Sequence, residues 1–97
     1  ASEDIKWIEA AGDYMCIYTN QENHIVRSTL TELSRKLCSQ QFIRTNRSVV
    51  VNTHRVVSLK KFGPNVHYLE LDDGTSLKIS RRYFTAYWQT IAHRFSP

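Results

Sequence analysis

Phe42-Ile43-Arg44-Thr45-Asn46-Arg47-Ser48-Val49-Val50-Val51-Asn52 is the stretch around which the rest of the chain can be read. Phe42, Ile43 and the run Val49-Val50-Val51 are aromatic or β-branched, the types that suit buried strands. Between them stand Arg44, Thr45, Asn46, Arg47 and Ser48, five hydrogen-bond donors in a row with no acid among them. The expected structure is two strand segments around a polar loop; a helix here would turn that loop into a helical face. Arginine and asparagine make bidentate contacts with guanine and adenine edges, and serine suits phosphate. The plainer alternative is a solvated turn between two strands, and the segment alone leaves both readings open.

On the N-terminal side, Ile5 to Glu9, Tyr14 to Thr19 and His24 to Ser28 read as three short strands. Gly12-Asp13 and Asn20-Gln21-Glu22-Asn23 supply the turns of an antiparallel meander. The period then changes. Thr29-x-x-Glu32 is a capping box, and Leu30, Leu33 and Leu37 keep one apolar stripe, which predicts a helix near residues 30–38 with Arg35 and Lys36 outside. On the C-terminal side, Arg55 to Phe62, Asn65 to Leu71 and Thr75 to Ile79 are strands, joined by Gly63-Pro64-Asn65 and Asp72-Asp73-Gly74. Ser80 is a good N-cap for a last helix near residues 81–93. Phe84, Tyr87, Trp88, Ile91 and Phe95 keep helical spacing there and read as core or domain contact. The fold class is therefore mainly β, short antiparallel sheets with two helices.

The chain has 97 residues, enough for one domain and one core. Its net charge of +4 is unevenly spread. Residues 1–23 hold five acids and one base, residues 24–61 eight bases and one acid, and residues 62–97 four bases and three acids. A basic middle suits a polyanion-binding face, and it also suits an acidic protein partner. Cys16 and Cys38 form no C-x-x-C and read as ordinary reduced thiols, a redox switch being the alternative. His24, His54, His67 and His93 are scattered and read as incidental, with phosphate contact open to His54. Nothing implies a metal or a cofactor. The chain lacks P-loop, G-x-G-x-x-G, G-x-S-x-G and H-E-x-x-H patterns, so no enzyme is expected. No apolar run approaches the ~20 residues of a membrane span. The opening Ala1 and the absence of a signal-peptide pattern predict a cytoplasmic piece of a longer chain. In it, residues 1–4 are a linker remnant, 5–94 the domain and 95–97 a tail, with flexibility expected at the two ends.

The pattern Phe-x-Arg-x-x-Arg-Ser-x-x-Val-Asn, here Phe42 to Asn52, resembles the signature of the LytTR (LytR/AlgR-type) DNA-binding domain of bacterial response regulators. Three further segments match in order. Trp7 to Tyr14 is similar to the family's opening strand and its loop ending in Asn/Asp-Tyr. Leu30-Thr31-Glu32-Leu33 with Leu37 is similar to its first helix, and Ile79 to Tyr83 to its closing Ser-Arg-Arg segment. One departure stands out: the family often has His where this chain has Asn46. The resemblance implies an elongated fold whose loops, rather than a recognition helix, enter successive major grooves of double-stranded DNA. It implies base contact by Asp13 or Tyr14, by Arg47 and by Arg82, and backbone contact by Arg44, Asn46, Ser48, Ser80 and Arg81. It also implies a monomer in isolation, paired on direct or imperfect DNA repeats, and a missing N-terminal regulatory domain. The reading from another class is a small β-rich module that binds single-stranded RNA or an acidic protein. Tyr14, Tyr18 and Tyr68 stacked on one open sheet face would favour it.

Overall fold

The second half of the central stretch, Val49–Asn52, is strand β5, and all four of its residues are buried. Val51 packs with Ile43 in one apolar cluster, while Val50 packs with Phe42 and Ile8 in another. Side chains alternate across a strand, so a run of consecutive apolar residues marks a strand covered on both faces. The triple valine is thus the middle layer of a three-layer structure. The computed structural model describes residues 2–37 and 41–86.

Ser2–Asp4 form a 3-10 turn, followed by β1 (Ile5–Ala11), β2 (Tyr14–Thr19), β3 (Asn23–Arg27) and helix α1 (Leu30–Lys36). Strand β4 (Phe42–Asn46) precedes β5, and a 3-10 turn at Thr53–Arg55 leads into β6 (Val56–Gly63), β7 (Val66–Leu71), β8 (Ser76–Ile79) and α2 (Arg81–Ala86). Two antiparallel sheets result, one of five strands in the order β3-β2-β1-β5-β4 and one of three in the order β6-β7-β8. One face of the larger sheet meets α1 through Ile8, Met15, Phe42, Val50 and Leu30. Its other face meets the smaller sheet through Ile43, Val51, Val56, Leu69, Leu71 and Ile79. The molecule measures 37 × 25 × 21 Å along its principal axes, longer in one direction as expected.

Local chemistry explains most of the boundaries. Gly12 has φ +62° and Asp13 has none of the positive-φ geometry, the Gly-X pattern of a II′ turn between β1 and β2. Gly74, at φ +90°, closes the β7–β8 loop: its N–H donates to the Leu71 carbonyl at 3.0 Å, and the Leu71 N–H donates to the Thr75 carbonyl at 2.8 Å. Helix α1 begins as the capping box requires, with the Glu32 N–H donating to Thr29 Oγ1 at 3.1 Å. The returning half of the box shifts by one residue, because the Glu32 carboxylate accepts from Ser28 Oγ at 3.2 Å. Asn52, which ends the central stretch, is a buried knot. Its Nδ2 donates to the Ile5 carbonyl at 2.8 Å and its Oδ1 accepts from the His54 N–H at 2.9 Å.

The structure differs from the sequence expectations in a few places. Within residues 1–4, expected as a flexible end, Glu3 and Asp4 contact the body: the Asn20 N–H donates to the Asp4 carbonyl at 3.2 Å, and Gln41 Nε2 donates to Glu3 Oε1 at 3.0 Å. The polar loop is shorter than its five donors suggested, since β4 runs on through Asn46. Helix α2 begins at Arg81 as expected, and its expected continuation to 93, with Tyr87, Trp88, Ile91 and Phe95, lies outside the described residues. Cys38 and His93 also lie outside them, while Cys16 is a free, half-buried thiol on β2. His54 sits beyond the far end of β5, 3.5 Å from Glu3 and away from the β4–β5 turn. His67 stacks on Phe84 with 3.9 Å between ring centroids and 10° between planes.

Candidate nucleic-acid interface

Three polar segments converge at one edge of the larger sheet. The Ala10 N–H donates to the Ser48 carbonyl at 2.7 Å, which fastens the end of β1, and the Gly12-Asp13 turn just beyond it, to the β4–β5 turn. The Ser80 N–H donates to the Thr45 carbonyl at 2.7 Å, which fastens the entrance of α2 to the outer strand β4. Asp13, Tyr14, Arg47, Arg81 and Arg82 are exposed along this edge, and Arg44, Asn46, Ser48 and Ser80 are half-buried in it. All nine residues singled out from the sequence therefore belong to one region.

The turn that carries Arg47 is held by identifiable hydrogen bonds. Asn46 Oδ1 accepts from the Ser48 N–H at 2.8 Å and from Ser48 Oγ at 3.2 Å, an Asx turn that occupies the Asn46 oxygen and leaves its amide Nδ2 as a donor. The ladder between β4 and β5 shifts register between Arg44 and Asn46, as a bulge does where a strand re-aims its side chains. Arg44 Nη2 donates to the Arg47 carbonyl at 2.9 Å, so Arg44 braces the turn. On the other side, Ser80 caps α2. Its carbonyl accepts from the Phe84 N–H at 2.8 Å and its Oγ from the Tyr83 N–H at 3.5 Å.

Ion pairs occupy several of the basic residues elsewhere on the surface. Lys6 pairs with Asp73 at 2.6 Å, Arg55 with Asp72 at 2.7 Å and Lys60 with Glu70 at 3.1 Å. Arg44, Arg47, Arg81 and Arg82 have no carboxylate partner among the described residues. Four neighbouring guanidiniums with no ion-pair partner among the described residues make a surface suited to a polyanion.

Two residues depart from the sequence reading. Thr45, counted among the donors, is fully buried on the face of β4 that meets the smaller sheet, so only its carbonyl serves the edge. Tyr83 was not singled out, yet its ring has Arg44 Cζ at 5.9 Å and Arg82 Cζ at 5.6 Å from its centroid. Its one sequence signal was its place directly after Arg82; its closeness to Arg44 depends on the sheet packing. The tyrosines of the single-strand reading do not form a row. Tyr18 is spent on Trp7, stacked at 4.1 Å, and desolvation, with Cys16 and Glu9 nearby, raises its pKa. Tyr68 lies on the other sheet, edge-on to Phe62 at 5.3 Å. Among the described residues no acidic, histidine or cysteine cluster could hold a metal, and no helix is long and apolar enough to cross a membrane.

Comparison with known proteins bears on the family and the fold. A family profile described as the LytTr DNA-binding domain matches residues 1–91. The chain is 28% identical over 82 residues to the sensory transduction protein LytT of Bacillus subtilis, covering 84% of this chain and 34% of the relative. It is 30% identical over 70 residues to the transcriptional regulatory protein YpdB of Escherichia coli K12, covering 72% of this chain and 29% of the relative. The chain thus spans about a third of the length of these relatives. A solved LytTr DNA-binding domain from Bacillus cereus superposes with a TM-score of 0.84 at 19% identity, over 91% of this chain and 81% of the other, which fixes the likeness of fold. With the profile spanning nearly its whole length, the chain belongs to the LytTR family of DNA-binding domains.

Proposed function

We propose that this domain reads double-stranded DNA by sequence, inserting the Gly12–Tyr14, Asn46–Ser48 and Ser80–Arg82 segments into the major groove. The observation that supports it is the cluster of four arginines, without carboxylate partners among the described residues, on one edge built from three fastened loops. Arg47 and Arg82 each fork onto guanine O6 and N7, and Asp13 or Tyr14 reads a further base edge. Arg44, Asn46, Ser48, Ser80 and Arg81 hold the phosphates on either side. The relatives' names, a sensory transduction protein and a transcriptional regulator, suit an output domain of a bacterial two-component regulator, with an N-terminal input domain elsewhere in the longer protein. The domain is a monomer that pairs on direct or imperfect repeats about one or two helical turns apart, which sets both copies on one face of the duplex.

Selection of bound duplexes from a random pool tests this. The expected result is a short repeated motif whose affinity falls log-linearly with salt and which outcompetes its own single strands. Recovery of no shared motif, or equal competition by single strands, would overturn the reading.

A further inference from the structure

We propose that Tyr83 is the positioning residue of this edge, its ring holding the Arg44 and Arg82 guanidiniums ready before DNA arrives. The consequence for DNA rests on the base-reading role given to Arg82 above, whereas the positioning itself does not. Both guanidinium carbons lie within 6 Å of the ring centroid, 5.9 Å for Arg44 and 5.6 Å for Arg82, inside the range of cation–π attraction. The ring is itself anchored: Tyr83 is half-buried and packs against the inter-sheet cluster of Ile43, Val51 and Ile79. Arg44 in turn holds the Arg47 carbonyl at 2.9 Å. One core-anchored ring is therefore linked to the turn carrying Arg47 and to the segment carrying Arg82.

Arginine is long and flexible, and ordering it on binding costs affinity. A guanidinium already gathered over a fixed ring loses less. Two like charges held near each other also repel, and attraction to the electron-rich ring offsets part of that repulsion. The proximity of Arg44 and Arg82 to one ring gives Tyr83 a role that core filling does not need, because an aliphatic side chain would fill the same space.

The test has two readouts on the full chain. In nitrogen-15 spectra of the DNA-free protein, the Nε–H signals of Arg44 and Arg82 should be displaced by the ring current of Tyr83. Tyr83→Phe should keep the displacement and Tyr83→Leu should abolish it. Undisplaced signals in the unmodified protein would overturn the proposal, and this reading holds even if Tyr83→Leu does not fold. The second readout is the affinity ratio between the duplex recovered by selection and a scrambled duplex. Tyr83→Leu should lower that ratio roughly two- to fivefold through Arg82, while Tyr83→Phe leaves it near the original. In an Arg82→Ala background the same Tyr83→Leu step should cost less. An equal cost in both backgrounds, or an equal loss from Tyr83→Phe, would make Tyr83 a plain packing residue. If Arg82→Ala alone leaves the ratio intact, the base-reading role falls, and the ring-current readout still decides the positioning.

Discussion

At the scale of single residues, the four arginines of the edge are not interchangeable. Arg47 and Arg82 are exposed, and each is expected to contact a base. Replacing either with alanine should lose ~1–3 kcal/mol on the selected duplex and much less on a scrambled one, measured by titration at fixed salt. Arg44 is expected to weaken both duplexes when removed, as a phosphate contact would. Its hydrogen bond to the Arg47 carbonyl adds a second effect, so Arg44→Ala should also lose part of the discrimination. Equal losses on both duplexes from Arg47→Ala and Arg82→Ala would reduce these residues to carriers of charge. Lys36 on α1 is the better control for bulk charge, because Arg35 borders the same cleft between α1 and β4 as Arg44. The residue types of the edge were plain in the sequence, but the burial of Thr45 was not. Alternation along β4 puts Thr45 on the same face as Ile43, and that face is identified only once the smaller sheet is seen to cover it.

At the scale of elements, turns and strands were legible because their causes are local. Gly12, Gly74 and the Thr29 cap each act within four residues, and the alternation of Leu69 and Leu71 with Tyr68 and Glu70 marks β7 directly. The adjacency of the three loops was not legible, since it depends on which strands pair. β1 lies beside β5 with Glu9 opposite Val49, a pairing between segments far apart in sequence. The register of that pairing is what sets the Gly12-Asp13 turn next to Arg47. Glycine at position 12 is therefore expected to matter through conformation alone. Its φ is +62° and an added Cβ would meet nothing within 4 Å, so the cost is backbone strain. Gly12→Ala should destabilise the fold by ~1–2 kcal/mol in denaturant unfolding. A change near zero would mean that the turn relaxes into another type at no cost.

At the scale of the whole molecule, the two sheets are joined by their core and by an ionic clasp at the β7–β8 loop. Lys6 of β1 holds Asp73, while Arg55 holds Asp72 through two bonds of 2.7 and 3.0 Å. Hydrogen bonds from Lys6 and from Thr75 hold the Asp73 carboxyl far below its ordinary value of 3.8. The folded state thus binds that proton less readily than the unfolded chain. Its contribution is complete well above pH 3.8 and is lost as pH falls below it. The pair is partly solvated, so Asp73→Asn should cost only ~0.5–1 kcal/mol at neutral pH and should flatten the acid limb of the stability curve. An unchanged acid limb would show that the clasp contributes nothing. The central claim is that one edge, made of three loops fastened by Ala10–Ser48 and Ser80–Thr45, meets the duplex. Amide chemical-shift mapping during titration with the selected duplex tests it most directly. The account predicts that the large shifts fall in residues 12–14, 46–48 and 80–83, with α1 and the outer face around Phe62 and Tyr68 unmoved. Shifts centred on the exposed side of α1, or on Phe62 and Tyr68, would contradict it.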